Sequence, residues 1–289
     1  PLVADIHFQY KLAIKAIEAG FDKIRINPGN IGADWKVREL TKAAKEQSVP
    51  IRIGVNSGSL PEDLLKQYGH DNPNAFVEAA LREAAILEEI DFQDIVLSVK
   101  STNTATAFAA YQMLAERCDY PLHVGITEAG TLKTGTIKSA VGIGALLLMG
   151  IGDTIRVSLT ADPIHEPAVA KQILTACNVG ADGVEVISCP TCGRCQIDMI
   201  PLAESIEAKT RHIKSPLKVA VMGCAVNGPG EARAADVGIA GGAGQGMLIK
   251  KGEIVSRFTE AELEDRLLDE IESMTGQKID RDQPQPKQP

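Results

Sequence analysis

The sequence is poor in aromatic residues: four Tyr, six Phe and one Trp among 289 positions, 4% in all. Its cores must therefore be built from aliphatic side chains. Apolar runs long enough to cross a membrane are also missing, since a span needs about 20 consecutive apolar residues. The longest greasy stretch, Ala140 to Gly152, is shorter and interrupted by glycine, so it reads as a buried helix packed on a sheet. No Lys/Arg block is present, and 30 basic against 38 acidic residues give a net charge of -8. A nucleic acid or an anionic membrane is thereby excluded as the main partner. No G-x-G-x-x-G follows the first strand-like run, which weakens a dinucleotide-binding open sheet. Disulfide scaffolding is disfavoured too. Of the six cysteines, three fall in Cys189-x-x-Cys192-x-x-Cys195, and that spacing in a long acidic α/β chain points to a metal or cluster in a reducing, cytoplasmic compartment.

What is present is a rhythm. From residue 2 to about 178, short β-branched runs alternate six times with amphipathic stretches, the βα pattern of a parallel sheet. The strands read Leu2 to His7, Lys23 to Asn27, Ile51 to Val55, Ile95 to Val99, Leu122 to Ile126 and Thr154 to Leu159, with helices such as Tyr10 to Ala19 and Ala75 to Glu89. A closed barrel takes eight strands. Six units over residues 1–178 therefore mean either an open parallel sheet or a partial (β/α)8 barrel with six of eight units, the first two lying outside this sequence. A smaller α+β domain is expected over 179–276. Its strands fall near Val184–Ile187, Leu217–Met222, Val237–Ala240 and Met247–Ile249, and its helices near Ile200–Thr210 and Glu260–Thr275. Residues 277–289, polar and rich in Pro and Gln, read as a frayed tail.

Strands covered on both faces should be nearly continuous in aliphatic residues. Three carry an arginine between apolar neighbours instead: Ile24-Arg25-Ile26, Ile51-Arg52-Ile53 and Ile155-Arg156-Val157. Each could pair with an acid on a neighbouring strand. Three at equivalent positions, joined by Lys100 at the end of another strand, would instead balance a phosphate-rich ligand in one mouth. His7, Asn27, Asn56, Thr127, Glu128 and Ser158 lie at the carboxyl ends of the same strands, where barrel enzymes place their chemistry. Asn56 and Ser158 could equally cap a helix or order a turn. Glu128, a carboxylate beside a cationic pocket, is a candidate proton donor or base.

Cys189 and Cys192 directly follow one strand and Cys224 another, so turns 32 residues apart can bring thiolates together. A structural zinc usually has two C-x-x-C knuckles or His ligands. Here Cys224 leads instead into Asn227-Gly228-Pro229-Gly230-Glu231, and an iron–sulfur cluster under apolar strands suits the thiolates better.

The segments ADIHF, RINPGNIG, IRIGVNSGSL, GITEAG, IGDTIRVSL, ISCPTCGR and MGCAVNGPGE together resemble the 4-hydroxy-3-methylbut-2-en-1-yl diphosphate synthases of the bacterial non-mevalonate isoprenoid pathway, in the family's order from residue 3 to about 245. The resemblance implies a barrel followed by a domain similar to the cluster domain of sulfite and nitrite reductases, with one 4Fe-4S cluster. It implies reductive opening of 2-C-methyl-D-erythritol 2,4-cyclodiphosphate to 4-hydroxy-3-methylbut-2-enyl diphosphate, with two electrons from ferredoxin or flavodoxin. A homodimer is implied, the cluster domain of one subunit closing over its partner's barrel. By the same resemblance His7, Arg25, Arg52, Lys100 and Arg156 would hold the diphosphate, with Asn27, Asn56, Thr127 and Ser158 as polar neighbours, and Glu128 would be the catalytic carboxylate. Cys189, Cys192, Cys224 and Glu231 would ligate the cluster. Cys195 is a thiol the family pattern does not require and a rival fourth ligand. Competing readings are a cluster-bearing scaffold or electron carrier without catalysis, and a zinc-stapled barrel binding a phosphorylated metabolite.

Overall fold

The computed structural model describes residues 1–180 and 183–282. The chain divides into two compact units, Pro1–Val179 and Gly180–Pro289.

In the first unit, strands and helices alternate: β1 (Val3–Ile6), α1 (Tyr10–Glu18), β2 (Lys23–Ile26), the short α2 (Pro28–Ile31), α3 (Asp34–Glu46), β3 (Ile51–Asn56), α4 (Glu62–Tyr68), α5 (Pro73–Glu88), β4 (Ile95–Lys100), α6 (Thr104–Arg117), β5 (His123–Gly125), α7 (Leu132–Leu148), β6 (Thr154–Arg156) and α8 (His165–Ala176). β1 to β4 form one parallel sheet in chain order, and β5 pairs with β6 in parallel. A bridge from Leu97 to Leu122 continues the order from β4 to β5. Parallel strands joined through helices bury both faces of the sheet. Accordingly Ile24, Ile26, Ile51, Ile53 and Leu97 are wholly buried, each contributing about 1.5–3 kcal/mol. Helix starts are set by side-chain caps where the sequence supplies Asn: Asn72 Oδ1 accepts from Asn74 N, and Asn103 Oδ1 from Ala105 N.

The greasy stretch lies mostly on α7. Its small residues Gly135, Ser139, Gly142 and Gly144 are buried with Ile143, Leu146 and Leu147, whereas Ile137, Val141 and Leu148 on the other side are exposed. Only half of that helix is therefore buried. Among the described residues, no helix is long and apolar enough to cross a membrane.

The second unit contains β7 (Val184–Ser188), α9 (Met199–Thr210), β8 (Leu217–Met222), α10 (Gly228–Glu231), β9 (Val237–Gly242), β10 (Gln245–Lys250), β11 (Glu253–Thr259) and α11 (Leu263–Thr275). The sheet order is β11-β10-β9-β8-β7; β7, β8 and β9 run parallel, and β10 is antiparallel to both its neighbours. One apolar cluster unites Val219, Val221 and Ile239 with Ile206 of α9 and Leu267, Leu268 and Ile271 of α11. A second unites Ala220, Met222, Ala240, Met247 and Ile249 with Ala232 and Ala235.

Two expectations need correction here. Strand β11 was missing from the sequence reading because it is an exposed edge whose polar residues mask the alternation. Its signal was the Lys251-Gly252 pair, which turns the chain with both φ values positive, 48° and 84°, as a tight hairpin requires. The tail expected to fray from 277 is held in place up to 282. Ile279 is buried against the α11 cluster, its N–H donates to Glu272, and Arg281 pairs with Asp269 at 2.8 Å. One buried apolar side chain and these bonds outweigh the polar composition. Residues 283–289 lie outside the described residues.

Candidate active site

Parallel strands end at one edge of their sheet, so residues at their carboxyl ends are gathered there whatever their separation in sequence. Asp5, Arg25 and Arg52 form one lateral row across β1, β2 and β3. Asn56 of β3 lies opposite Lys100 of β4, and Gly125 of β5 opposite Arg156 of β6.

The row corrects one expectation. Arg25 is not an unpaired cation: its Nη1 donates to Asp5 Oδ1 at 2.8 Å and its Nη2 to the Gly54 carbonyl at 3.3 Å. Asp5 was missed because a single acid at a strand end carries no local signal; only register puts it beside Arg25. Arg52, Lys100 and Arg156, in contrast, have no ion pair among the described residues. They feel one another. Burial and the charges of Arg25 and Arg156 lower the ionisation of Arg52. Lys100, only 8% exposed, is pushed down to about 7 by burial and then by Arg156, Arg52 and Arg25. With Lys100 protonated, these four cations against the carboxylate of Asp5 make a formal +3.

Two glycines make room for this cluster. A Cβ at Gly54 would lie 2.6 Å from Arg25 Nε, and one at Gly125 would lie 3.3 Å from Lys100 Nζ and 2.5 Å from the Arg156 carbonyl. The cations thus run over bare backbone.

The remaining predicted residues separate into two groups. Asn27 is buried and donates from Nδ2 to Ser59 Oγ at 2.6 Å, and Ser59 Oγ also bonds the backbone of Asn56. These two asparagines order the loop after β3, the bland alternative stated for Asn56. His7 is exposed beside Phe8. Thr127, Glu128 and Ser158 lie in the loops after β5 and β6, with Ser158 half-buried and Glu128 exposed. Glu128 has φ 50°, a left-handed conformation that non-glycine residues adopt rarely and that recurs at functional sites. The Thr160 N–H donates to the Gly130 carbonyl at 2.8 Å, tying those loops together.

Beneath the cations lies a histidine the sequence reading passed over. His123 is buried, with Nδ1 2.8 Å from Thr154 Oγ1, while its Nε2 is buried with no partner. Burial first, then Lys100, Arg52, Arg156 and Lys23, drive its ionisation down to about 2. It is a neutral imidazole.

In the second unit the turns after β7 and β8 ring an open pocket with Cys189, Cys192, Cys195, Cys224 and Glu231. Cys189 Sγ accepts from the Gly223 N–H at 3.2 Å. Backbone N–H groups, that of Asn227 foremost, lower the Cys224 thiol. The second feature favours the Cys224 thiolate. Cys195 instead donates its S–H to the Ile197 carbonyl at 3.4 Å. Among the described residues, no three His, Cys, Asp or Glu are spaced to hold a single metal ion. Zinc takes four ligands about 2.0–2.3 Å from one point, whereas thiols and a carboxylate around one open pocket are donors that an iron–sulfur cluster takes. Cys118 and Cys177 sit just past the ends of α6 and α8 and are half-buried.

Residues 1–171 match the family model of the GcpE TIM-barrel domain, and residues 185–273 that of the GcpE protein C-terminal domain. The chain belongs to the GcpE family. Relatives of this GcpE chain named 4-hydroxy-3-methylbut-2-en-1-yl diphosphate synthase (flavodoxin) include those of Caldanaerobacter subterraneus, 59% identical over 96% of this chain and 78% of the relative, and Geobacter sulfurreducens, 56% identical over 96% and 79%. That of Clostridium perfringens is 57% identical over 95% and 78%. The parallel βα unit containing the cations is thus a GcpE TIM-barrel domain, and the thiol-ringed pocket lies in the GcpE C-terminal domain.

Proposed function

We propose that this chain makes the product its relatives are named for, 4-hydroxy-3-methylbut-2-enyl diphosphate, by reductive opening of 2-C-methyl-D-erythritol 2,4-cyclodiphosphate, with flavodoxin supplying two electrons. The observation that carries this reading beyond family membership is that Arg52, Lys100 and Arg156 have no ion pair among the described residues and act on one another's ionisation. Such charge calls for a polyanion, and a cyclic diphosphate supplies one. Arg52, Arg156 and Lys100 bind its phosphate oxygens. Arg25 is held by Asp5 at the side of that site, Asn27 and Asn56 fix the loop that borders it, and His7, Thr127 and Ser158 offer further polar contacts. Glu128, exposed on its strained loop, is the acid that delivers a proton as the C–O bond is broken. A 4Fe-4S cluster, held by Cys189, Cys192, Cys224 and Glu231, supplies when bound the electrons and an iron with an exchangeable ligand. The weaker carboxylate suits that exchange, and the engagement of Cys195 with the Ile197 carbonyl supports Glu231 as the fourth ligand.

The same reading makes β1 to β6 six staves of an eight-stranded (β/α) barrel and gives the second domain the architecture of a sulfite or nitrite reductase cluster domain. It takes the working protein as a cytoplasmic homodimer, a state that sedimentation measures. An electron carrier without catalysis leaves the barrel cations without a task.

Arg52→Ala and Arg156→Ala test the site. Each should weaken binding of the cyclodiphosphate about tenfold or more, the scale of a charge-assisted hydrogen bond, while iron and sulfide content stay at the wild-type level. Unchanged affinity in both variants would return these arginines to structural roles.

A further inference from the structure

We propose that His123 is a positioning residue of the barrel anion site: its Nδ1–H donates to Thr154 Oγ1, and its Nε2 lone pair receives the Lys100 ammonium and fixes that cation's direction. The inference rests on the reading of the strand-end cations as the diphosphate site.

Three observations lead to it. First, the imidazole is buried and Nε2 has no partner, and a buried polar atom is rarely left unmet. Second, His123 and Gly125 are two residues apart on β5 and so lie on one face. On that face Lys100 Nζ passes 3.3 Å from the position where a Gly125 Cβ would stand. The absent side chain leaves space in which the flexible Lys100 stem can turn its ammonium toward Nε2. Third, the charges acting on the ring from the surrounding strands are Lys23 of β2, Arg52 of β3, Lys100 of β4 and Arg156 of β6, all cationic.

Those charges decide the tautomer. An imidazolium is excluded among four cations. With the proton on Nε2, a buried donor would face cations and no acceptor. With the proton on Nδ1, Thr154 Oγ1 accepts it and a lone pair faces the cations. Lys100 has three N–H donors; with one committed to His123, two are left aimed at a phosphate. The acceptor also favours the charged form of Lys100, whose ionisation burial and neighbouring arginines depress. The Asp5 carboxylate acts in the same direction.

The test uses the full chain with inorganic pyrophosphate as probe. Nitrogen-15 NMR of wild-type His123 should report the Nδ1–H tautomer at neutral pH; an Nε2–H tautomer would overturn the proposal. Calorimetric titration between pH 6 and 9 should show wild-type binding that weakens on the alkaline side as Lys100 loses its proton. His123→Phe should bind about tenfold more weakly, with the alkaline limb moved to lower pH. His123→Gln, whose amide oxygen can replace Nε2, should recover most of both. A folded His123→Phe variant with wild-type affinity and an unmoved limb would also overturn it. Should that variant fail to fold, the tautomer and His123→Gln decide. No pyrophosphate binding by wild type would refute the anion-site reading instead, and the tautomer would then judge His123 alone.

Discussion

Lys100→Met should stabilise the ligand-free protein while abolishing its anion binding. Met keeps an unbranched side chain of similar length and removes the charge. Lys100 is 8% exposed, and its ionisation falls from 10.5 to about 7 because of burial and the arginines around it. At about 1.4 kcal/mol for each tenfold change in protonation, that difference sets a ceiling of about 5 kcal/mol; relaxation of the site brings the expected gain to about 2–4 kcal/mol. Its pH dependence has a definite sign. Between about pH 7 and 10.5 the unfolded chain binds the proton that the folded chain has released, so this group adds stability as pH rises. The gain from Lys100→Met is therefore complete below about pH 7, under half by about pH 9 and gone near pH 10.5. Urea unfolding of both proteins across this range, without phosphate in the buffer, measures it, and pyrophosphate titration reads the lost binding. A variant less stable than wild type at pH 6, or a gain that does not shrink as pH rises, would refute the reasoning. Either result would mean that an anionic group, beyond the neutral His123 imidazole, compensates Lys100 in solution.

Three further outcomes follow from the geometry. Glu128→Gln keeps size and hydrogen bonding but cannot donate the proton, so turnover should fall about 100-fold or more with substrate affinity little changed; near-normal turnover would remove Glu128 from the chemistry. Glu231→Ala should lower iron and sulfide content and the visible absorption of anaerobically purified protein, whereas Cys195→Ser should leave both near wild type, and the reverse pattern would make Cys195 the ligand. Gly125→Ala would bring a Cβ within 2.5 Å of the Arg156 carbonyl, so it should cost about 1–3 kcal/mol in thermal unfolding and weaken pyrophosphate binding, while Gly58→Ala, with nothing within 4 Å, should cost far less.

The sequence by itself determined the parts that depend on local pattern. Period-two runs such as Ile24-Arg25-Ile26 marked both the strand and the cation it carries, and Cys189-x-x-Cys192 marked a thiol turn, because alternation and short spacing are properties of a few consecutive residues. Most strand boundaries followed within one or two positions, the carboxyl end of β6 excepted. Only the tertiary structure decided what each polar group faces. Register across β1 and β2 placed Asp5 against Arg25, and the loop after β3 brought Ser59 to Asn27. Tertiary packing buried His123 where the charges of Lys100, Arg52 and Arg156 reach it. The same limit hid β11, whose edge position releases it from apolar alternation, and the anchoring of Ile279 on α11. Partners separated by 20 or more residues leave no trace in local composition; their meeting is fixed by strand register and by which faces helices cover.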